Sequence, residues 1–199
     1  KEKSAMILSP KFYIVSIILS LFSLTFAETI EVDDDGSGFT NIQDAIDSAS
    51  DGDIILVQPG TYTARFIDSS IINLGNKQLE IRAADSSSRP ILDGGGDSVG
   101  SGGKQGILIA GGQDSSTVID GLIVQHCQGG LISGGYYGAG LILYGASPVV
   151  ENCDFQNNIA QYGSGVYGLC TASELINCNV INNRAVAIGG VGGQGGGVL

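Results

Sequence analysis

Residues 150–160 read Val-Glu-Asn-Cys-Asp-Phe-Gln-Asn-Asn-Ile-Ala, and residues 175–185 read Leu-Ile-Asn-Cys-Asn-Val-Ile-Asn-Asn-Arg-Ala. Asn152, Cys153, Asn157, Asn158 and Ala160 thus recur 25 positions later, and Gly140, Gly165 and Gly190 keep the same step. A fixed period of this size marks a solenoid, whose units bury their apolar faces only against one another. Three short strands and three turns fit into one such period, which makes it one rung of a parallel β-helix. The stacking predicts interior ladders of Val150 over Leu175, Cys153 over Cys178 and Phe155 over Val180. Asn157 over Asn182 and Asn158 over Asn183 are expected as turn ladders, because Asn tolerates left-handed backbone and its amide can bond along the stack.

Working back toward the N-terminus, the pattern loosens. Leu122 and Val124 precede Cys153 and Phe155 by 31 positions, and the excess is assigned to a loop over Gly129–Gly138. Short strands bounded by Gly, Ser or Asp are expected at Ile54–Val57, Thr61–Ile67, Leu79–Ile81, Pro90–Leu92, Ile107–Ala110, Thr117–Val124 and Gly140–Tyr144. Such spacing also suits a sandwich or barrel, but neither explains stacked identities. From Ile54 onward there is room for roughly six rungs at a strand spacing of about 4.8 Å.

One helix is expected, over Thr40–Ala49. Thr40 and Gln43 stand in capping-box relation, Ile42, Ala45, Ile46 and Ala49 form one apolar stripe, and Gly52 is placed to end it. Its expected role is to cover the open apolar end of the stack. Thr29–Val32 precedes it as a strand and runs into Asp33-Asp34-Asp35-Gly36. Calcium is the possible cofactor here, but no calcium-loop spacing supports it, and a solvated turn is the preferred reading.

Glycine is 32 of 199 residues, with 4 prolines and no tryptophan, a composition of many tight turns. Lys1, Lys3 and Lys11 precede an apolar run from Phe12 to Phe26, the arrangement of a secretory signal peptide cleaved after Ala27. The run is short of the roughly 20 apolar residues of a membrane span, so no transmembrane span is expected after cleavage. Residues 28–199 would then form the β-helix domain, with Met6 suited as initiator and the chain expected to be truncated at its C-terminus. The formal net charge of −11 opposes nucleic-acid binding, which needs clustered Lys and Arg. It also disfavours an acidic polysaccharide unless cations bridge the two. Of Cys127, Cys153, Cys170 and Cys178, the pair one period apart could be either a disulfide or two stacked thiols.

The stretch Gly38-Phe39-Thr40-Asn41-Ile42-Gln43-Asp44-Ala45-Ile46, with Asp51-Gly52-Asp53-Ile54-Ile55-Leu56-Val57 and Pro59-Gly60-Thr61-Tyr62, resembles the opening of secreted right-handed parallel β-helix proteins of the pectate-lyase-like superfamily. The cap resembles that of pectin methylesterases. Ser147–Phe155 and Gly163–Val166 resemble repeats of bacterial surface proteins of that architecture. The resemblance implies a fold more than an activity. Ala64 stands near the point where the esterases carry an acidic residue, and their catalytic Gln, Asp, Asp and Arg constellation has no counterpart. A lyase mechanism would imply carboxylates holding calcium and a basic residue, and no Arg or Lys here stands in such a motif.

Few residues qualify as a site. Asp93-Gly94 and Asp120-Gly121 lie 27 positions apart and could stack as a carboxylate pair for acid-base chemistry, or simply make the same turn twice. His126, the sole histidine, reads as a structural or surface residue. Tyr136, Tyr137, Tyr162 and Tyr167 could offer an aromatic face for carbohydrate, or pack the turns. The expected function is a secreted or cell-surface scaffold for adhesion or glycan binding, with polysaccharide or cell-surface glycan as partner. The alternative is a polysaccharide lyase or esterase whose catalytic residues lie elsewhere.

Overall fold

The computed structural model describes residues 26–36, 38–66, 69–96, 98–99, 103–132 and 134–199. Most of the expected signal peptide, residues 1–25, lies outside them. Among the described residues no helix is long and apolar enough to cross a membrane.

The chain coils into a parallel β-solenoid of about 5 turns, fewer than the six expected because individual coils are longer than 25 residues. The first sheet stacks Thr29–Val32, Ile54–Val57, Glu80–Ala83, Val118–Asp120, Val149–Glu151 and Glu174–Ile176. The second stacks Thr61–Tyr62, Ile91–Asp93, Ile123–Gln125, Asp154–Gln156 and Asn179–Ile181, and the third stacks Ser70–Asn73, Gln105–Ile109, Leu141–Tyr144 and Val166–Leu169. In the first sheet Ile55, Ile81, Ile119, Val150 and Leu175 lie in one register, at steps of 26, 38, 31 and 25 residues. The extra residues leave the coil between strands, so the ladders survive them.

Each strand is so short that alternation sends one or two side chains inward. Ile81, Ile119 and Val150 from the first sheet, Leu92, Val124 and Phe155 from the second, and Ile72, Ile107 and Leu141 from the third are all fully buried. Each contributes about 1.5–3 kcal/mol by leaving water. The predicted ladders of Val150 with Leu175 and Phe155 with Val180 are both present, as is Val124 over Phe155.

The corners are where sequence expectation needed correction. Thr117–Val124 is two strands, because Gly121 at φ 78° turns the chain between the first and second sheets. Asn152 and Asn177 (φ 53° and 52°) make the same turn one and two coils later. At the far end of the second sheet His126, Asn157 and Asn182 occupy the next left-handed corner at φ 51°, 55° and 55°. His126 therefore fills an asparagine slot.

Asn158 and Asn183 play a separate part. Asn158 Oδ1 accepts from Cys127 N at 2.9 Å and its Nδ2 donates to Val124 O at 3.1 Å. Asn183 repeats this one coil on, accepting from Asn158 N at 2.9 Å and donating to Phe155 O at 2.8 Å. These amides bond to the backbone of the preceding coil rather than to each other.

Gly140 and Gly165 stack because a Cβ on Gly140 would come within 2.5 Å of Gly165 O. Gly190 does not continue that ladder. It lies in a turn between Ile188 and Val191, and Gly197 takes the place, its carbonyl accepting from Gly165 N at 3.1 Å. The strand expected over Thr61–Ile67 ends at Tyr62.

The helix spans Ile42–Ser48 and packs against the first coil with Ile42, Ala45 and Ile46 buried. Its cap is Asn41 rather than Thr40, with Asn41 Oδ1 accepting from Gln43 N at 2.9 Å. Gln43 turns instead to Asn73, accepting from its N at 2.8 Å and donating to its O at 3.0 Å. At the other end Lys77 Nζ donates to Ile46, Asp47 and Ala49 carbonyls at 2.7, 2.9 and 2.8 Å. A cation there answers the orphaned carbonyls of the last turn.

Candidate ligand-binding site

The Gly129–Gly138 stretch leaves the coil as an antiparallel hairpin, Gly130–Ile132 paired with Gly135–Tyr137. Gly134 at φ 86° supplies the turn. Successive strand residues point to opposite faces, so Tyr136 and Tyr137 serve two different surfaces.

On one face Tyr137 stacks on Tyr162, with ring centroids 4.7 Å apart and planes 24° from parallel. Tyr167 closes on Tyr137 edge-on at 5.4 Å and 68°. A bridge between Tyr137 and Tyr162 fixes the stack, and Gly135 leaves room for it, since a Cβ there would lie 2.8 Å from the Tyr137 ring. All three tyrosines are half-buried. Burial, then the neighbouring Tyr137 and Tyr144, raises the Tyr167 hydroxyl above its ordinary pKa, so it remains a neutral donor.

On the other face Tyr136 and Leu131 wall a cavity of about 370 Å³, completed by Gly103, Gln105 and Gln128. Leu131 is 65% exposed. Gln105 Nε2 donates to the Tyr137 and Gly138 carbonyls, both at 3.4 Å, and Gln128 Oε1 accepts from Gly103 N at 3.2 Å. Among the described residues the lining holds amides and an aromatic ring but no charged side chain. Tyr136 and Tyr137 are thus brought to one hairpin with Tyr162 and Tyr167, while Gln105 and Gln128 escaped sequence inspection. Nothing in their local sequence marks them; the 31-residue step that places Gln128 over Ile159 is the only clue.

Asp93 and Asp120 do not stack. The 27-residue interval joins different sheets: Asp93 lies over Gln125 in the second, whereas Asp120 lies over Glu151 in the first. Nor do they share a turn, since Gly121 is left-handed and the Asp93 corner places that conformation at Gly95. Asp93 Oδ2 meets Gln125 Nε2 at 2.9 Å and His126 Nδ1 at 3.1 Å. Burial pushes its carboxyl up, but bonds from Gln125, His126 and Gly95 N outweigh this and hold it below the ordinary value.

Asp120 borders a second cavity, about 420 Å³, lined also by Arg89, Asn152, Asp154 and Asn177. Asp120 accepts from Asn152 Nδ2 at 2.8 Å and from Arg82 at 2.9 Å. Asp154 accepts from Asn179 Nδ2 at 2.7 Å and pairs with Arg89. Every carboxylate oxygen of these two residues already holds an intrachain donor. Such a network suits a polar ladder better than a general base, which needs an oxygen open to substrate.

The Asp33, Asp34 and Asp35 carboxylates approach within 4.8 Å of one another. Asp33 Oδ1 accepts from Asp35 N at 3.4 Å within the turn, and Asp34 Oδ2 accepts from Thr61 N at 3.1 Å, tying the turn to the strand 27 residues on.

No family model matches the chain, and no curated protein or solved structure is significantly similar to it.

Proposed function

We propose that the protein is a non-catalytic β-helix scaffold, secreted or at the cell surface, that binds a neutral glycan across the hairpin. The observation that carries this reading is the Tyr137–Tyr162 stack at the hairpin base; the amide-lined cavity walled by Tyr136 lies on the opposite face of the same hairpin. Aromatic faces pack the apolar faces of sugar rings, and amides answer their hydroxyls without net charge. A chain of net charge −11 repels polyanions, which favours a neutral polymer. The resemblance of the cap and repeats to pectate-lyase-like proteins is compatible with a polysaccharide partner and does not require an activity.

Affinity electrophoresis through gels containing mannan, xylan, β-glucan or polygalacturonate tests the proposal. Retardation by at least one neutral polymer is expected, reduced roughly fivefold by Tyr137→Ala, since one aromatic contact is worth about 1 kcal/mol. Retardation by none of the neutral polymers, or binding indifferent to Tyr137→Ala and Tyr162→Ala, would refute it. The second reading, a polysaccharide-active enzyme, draws on the Arg89, Asp120 and Asp154 cavity. Turnover of any of these polymers, with or without calcium, would establish it in place of the first.

A further inference from the structure

Cys153 and Cys178 occupy the same position in two successive coils. Their neighbours are in register on both sides, Glu151 with Ile176 and Asp154 with Asn179. Each follows a left-handed asparagine, Asn152 or Asn177, so the backbone delivers both side chains in the same direction. Adjacent strands lie about 4.8 Å apart, within the 4.4–6.8 Å Cα separation of disulfides. Both sulfurs are thiols. Cys153 Sγ rests 3.2 Å from Glu151 O, and Cys178 Sγ 3.4 Å from Ile176 O and 3.5 Å from Val150 O.

The pair is isolated from other sulfur. On its far side Cys153 meets Leu122, whose N–H lies 3.4 Å from Sγ. Cys127 stacks with Asn158, and Cys170 follows Leu169 beside Gly145. The two members also differ in access: Cys153 is fully buried, whereas Cys178 is partly open to solvent.

We propose that Cys153 and Cys178 form an oxidisable pair whose disulfide staples the strands Glu174–Ile176 and Asn179–Ile181 to the preceding coil. The oxidant is a low-molecular-weight disulfide, RSSR. The Cys178 thiolate attacks one sulfur of RSSR, forming a mixed disulfide and releasing the first RSH after protonation. Cys153 then loses its proton to water and attacks Cys178 Sγ, breaking the mixed disulfide and releasing the second RSH. Two protein thiols become one disulfide while RSSR is reduced to two RSH. The order of attack follows from exposure. It is supported by the hydrogen bond from Cys153, which lowers the Cys178 thiol below its ordinary value against the opposing effect of burial. The same contact, with burial, raises Cys153; once Cys178 carries the mixed disulfide, that contact no longer involves a thiolate.

The bridge would close a ring over one 25-residue coil. Oxidation therefore bears on how firmly these two coils are held together.

The test is to incubate the full chain with oxidised glutathione at neutral pH and map peptides without reduction. The expected product is a single internal bridge joining Cys153 and Cys178, with a higher urea midpoint that dithiothreitol reverses. In Cys153→Ser, glutathione is expected to stay on Cys178, and Cys127→Ser/Cys170→Ser is expected to behave as the unmodified chain. A persistent glutathione adduct on Cys178 in the unmodified chain, a bridge through Cys127 or Cys170, or no modification would each overturn the proposal. The mapping of the unmodified chain decides it even if a variant fails to fold.

Discussion

Replacing Asn158 by Ala tests whether the interior asparagine ladder holds the coils together. Asn158 is fully buried; its Oδ1 accepts from Cys127 N and its Nδ2 donates to Val124 O. Truncation leaves the Cys127 N–H buried and unpaired at about 1–3 kcal/mol and removes a second bond worth about 1 kcal/mol, so the loss should total about 2–4 kcal/mol. Since domains of this kind are stable by only about 5–15 kcal/mol, the effect is large. Urea denaturation followed by circular dichroism reads it as a fall in midpoint at constant slope. The Cys127 amide should also exchange faster than amides of the first coil. Asn157 is the control: it is exposed and left-handed, so Asn157→Gly should stay within about 0.5 kcal/mol of the parent. If Asn158→Ala costs no more than Asn157→Gly, the amide is not a structural tie and the ladder needs another explanation.

Gly140→Ala places a methyl 2.5 Å from Gly165 O and 2.9 Å from Asn158 Nδ2; overpacking of about 1–3 kcal/mol should lower the urea midpoint. Gly192→Ala meets nothing within 4 Å and should leave the midpoint unchanged. Asp93 has a depressed folded-state pKa, so its ionised form contributes stability that is fully present above the unfolded carboxylate value and is lost as pH falls through the lower folded value. The stability difference between the parent and Asp93→Asn should therefore hold at neutral pH and shrink in acid; urea midpoints from pH 7 to pH 2 measure it, and a constant difference would contradict the assignment.

The architecture was legible from residues 150–185 because a stack converts sequence period directly into spatial neighbourhood. Val150, Cys153 and Phe155 landed on their expected partners. Earlier coils were less readable, since loops of unequal length hide the register: Ile81 meets Ile119 across 38 residues, and no local cue says which residues to discount. The Asp93 and Asp120 pair failed for that reason. The 27-residue interval is close to one period, yet it joins the second sheet to the first. Thr40 lost the helix cap to Asn41 for a smaller reason, a one-residue shift that alternation cannot resolve. The hairpin was visible as a break in period, but which side of it each tyrosine serves depended on strand pairing.

Recurrence along the stack also separates polar residues that hold the fold from those left over for a ligand. Arg82, Asp120 and Glu151 share one register in the first sheet, and adjacent carboxylates there would repel each other without Arg82, which reaches Asp120 at 2.9 Å and Glu151 at 3.8 Å. In the second sheet Asp154 is followed by neutral Asn179, which donates to it. Both arrangements are what like charges demand when strands are stacked about 4.8 Å apart, so the charged cavity is accounted for by the coil itself. The tyrosines are not. Tyr162 is followed on the next coil by Gln194, and Tyr167 crosses over from the third sheet to reach Tyr137. An aromatic cluster that ends after one step and sits at an outward hairpin does nothing the ladders require, which is why the hairpin, rather than the carboxylates, is where a ligand should be sought.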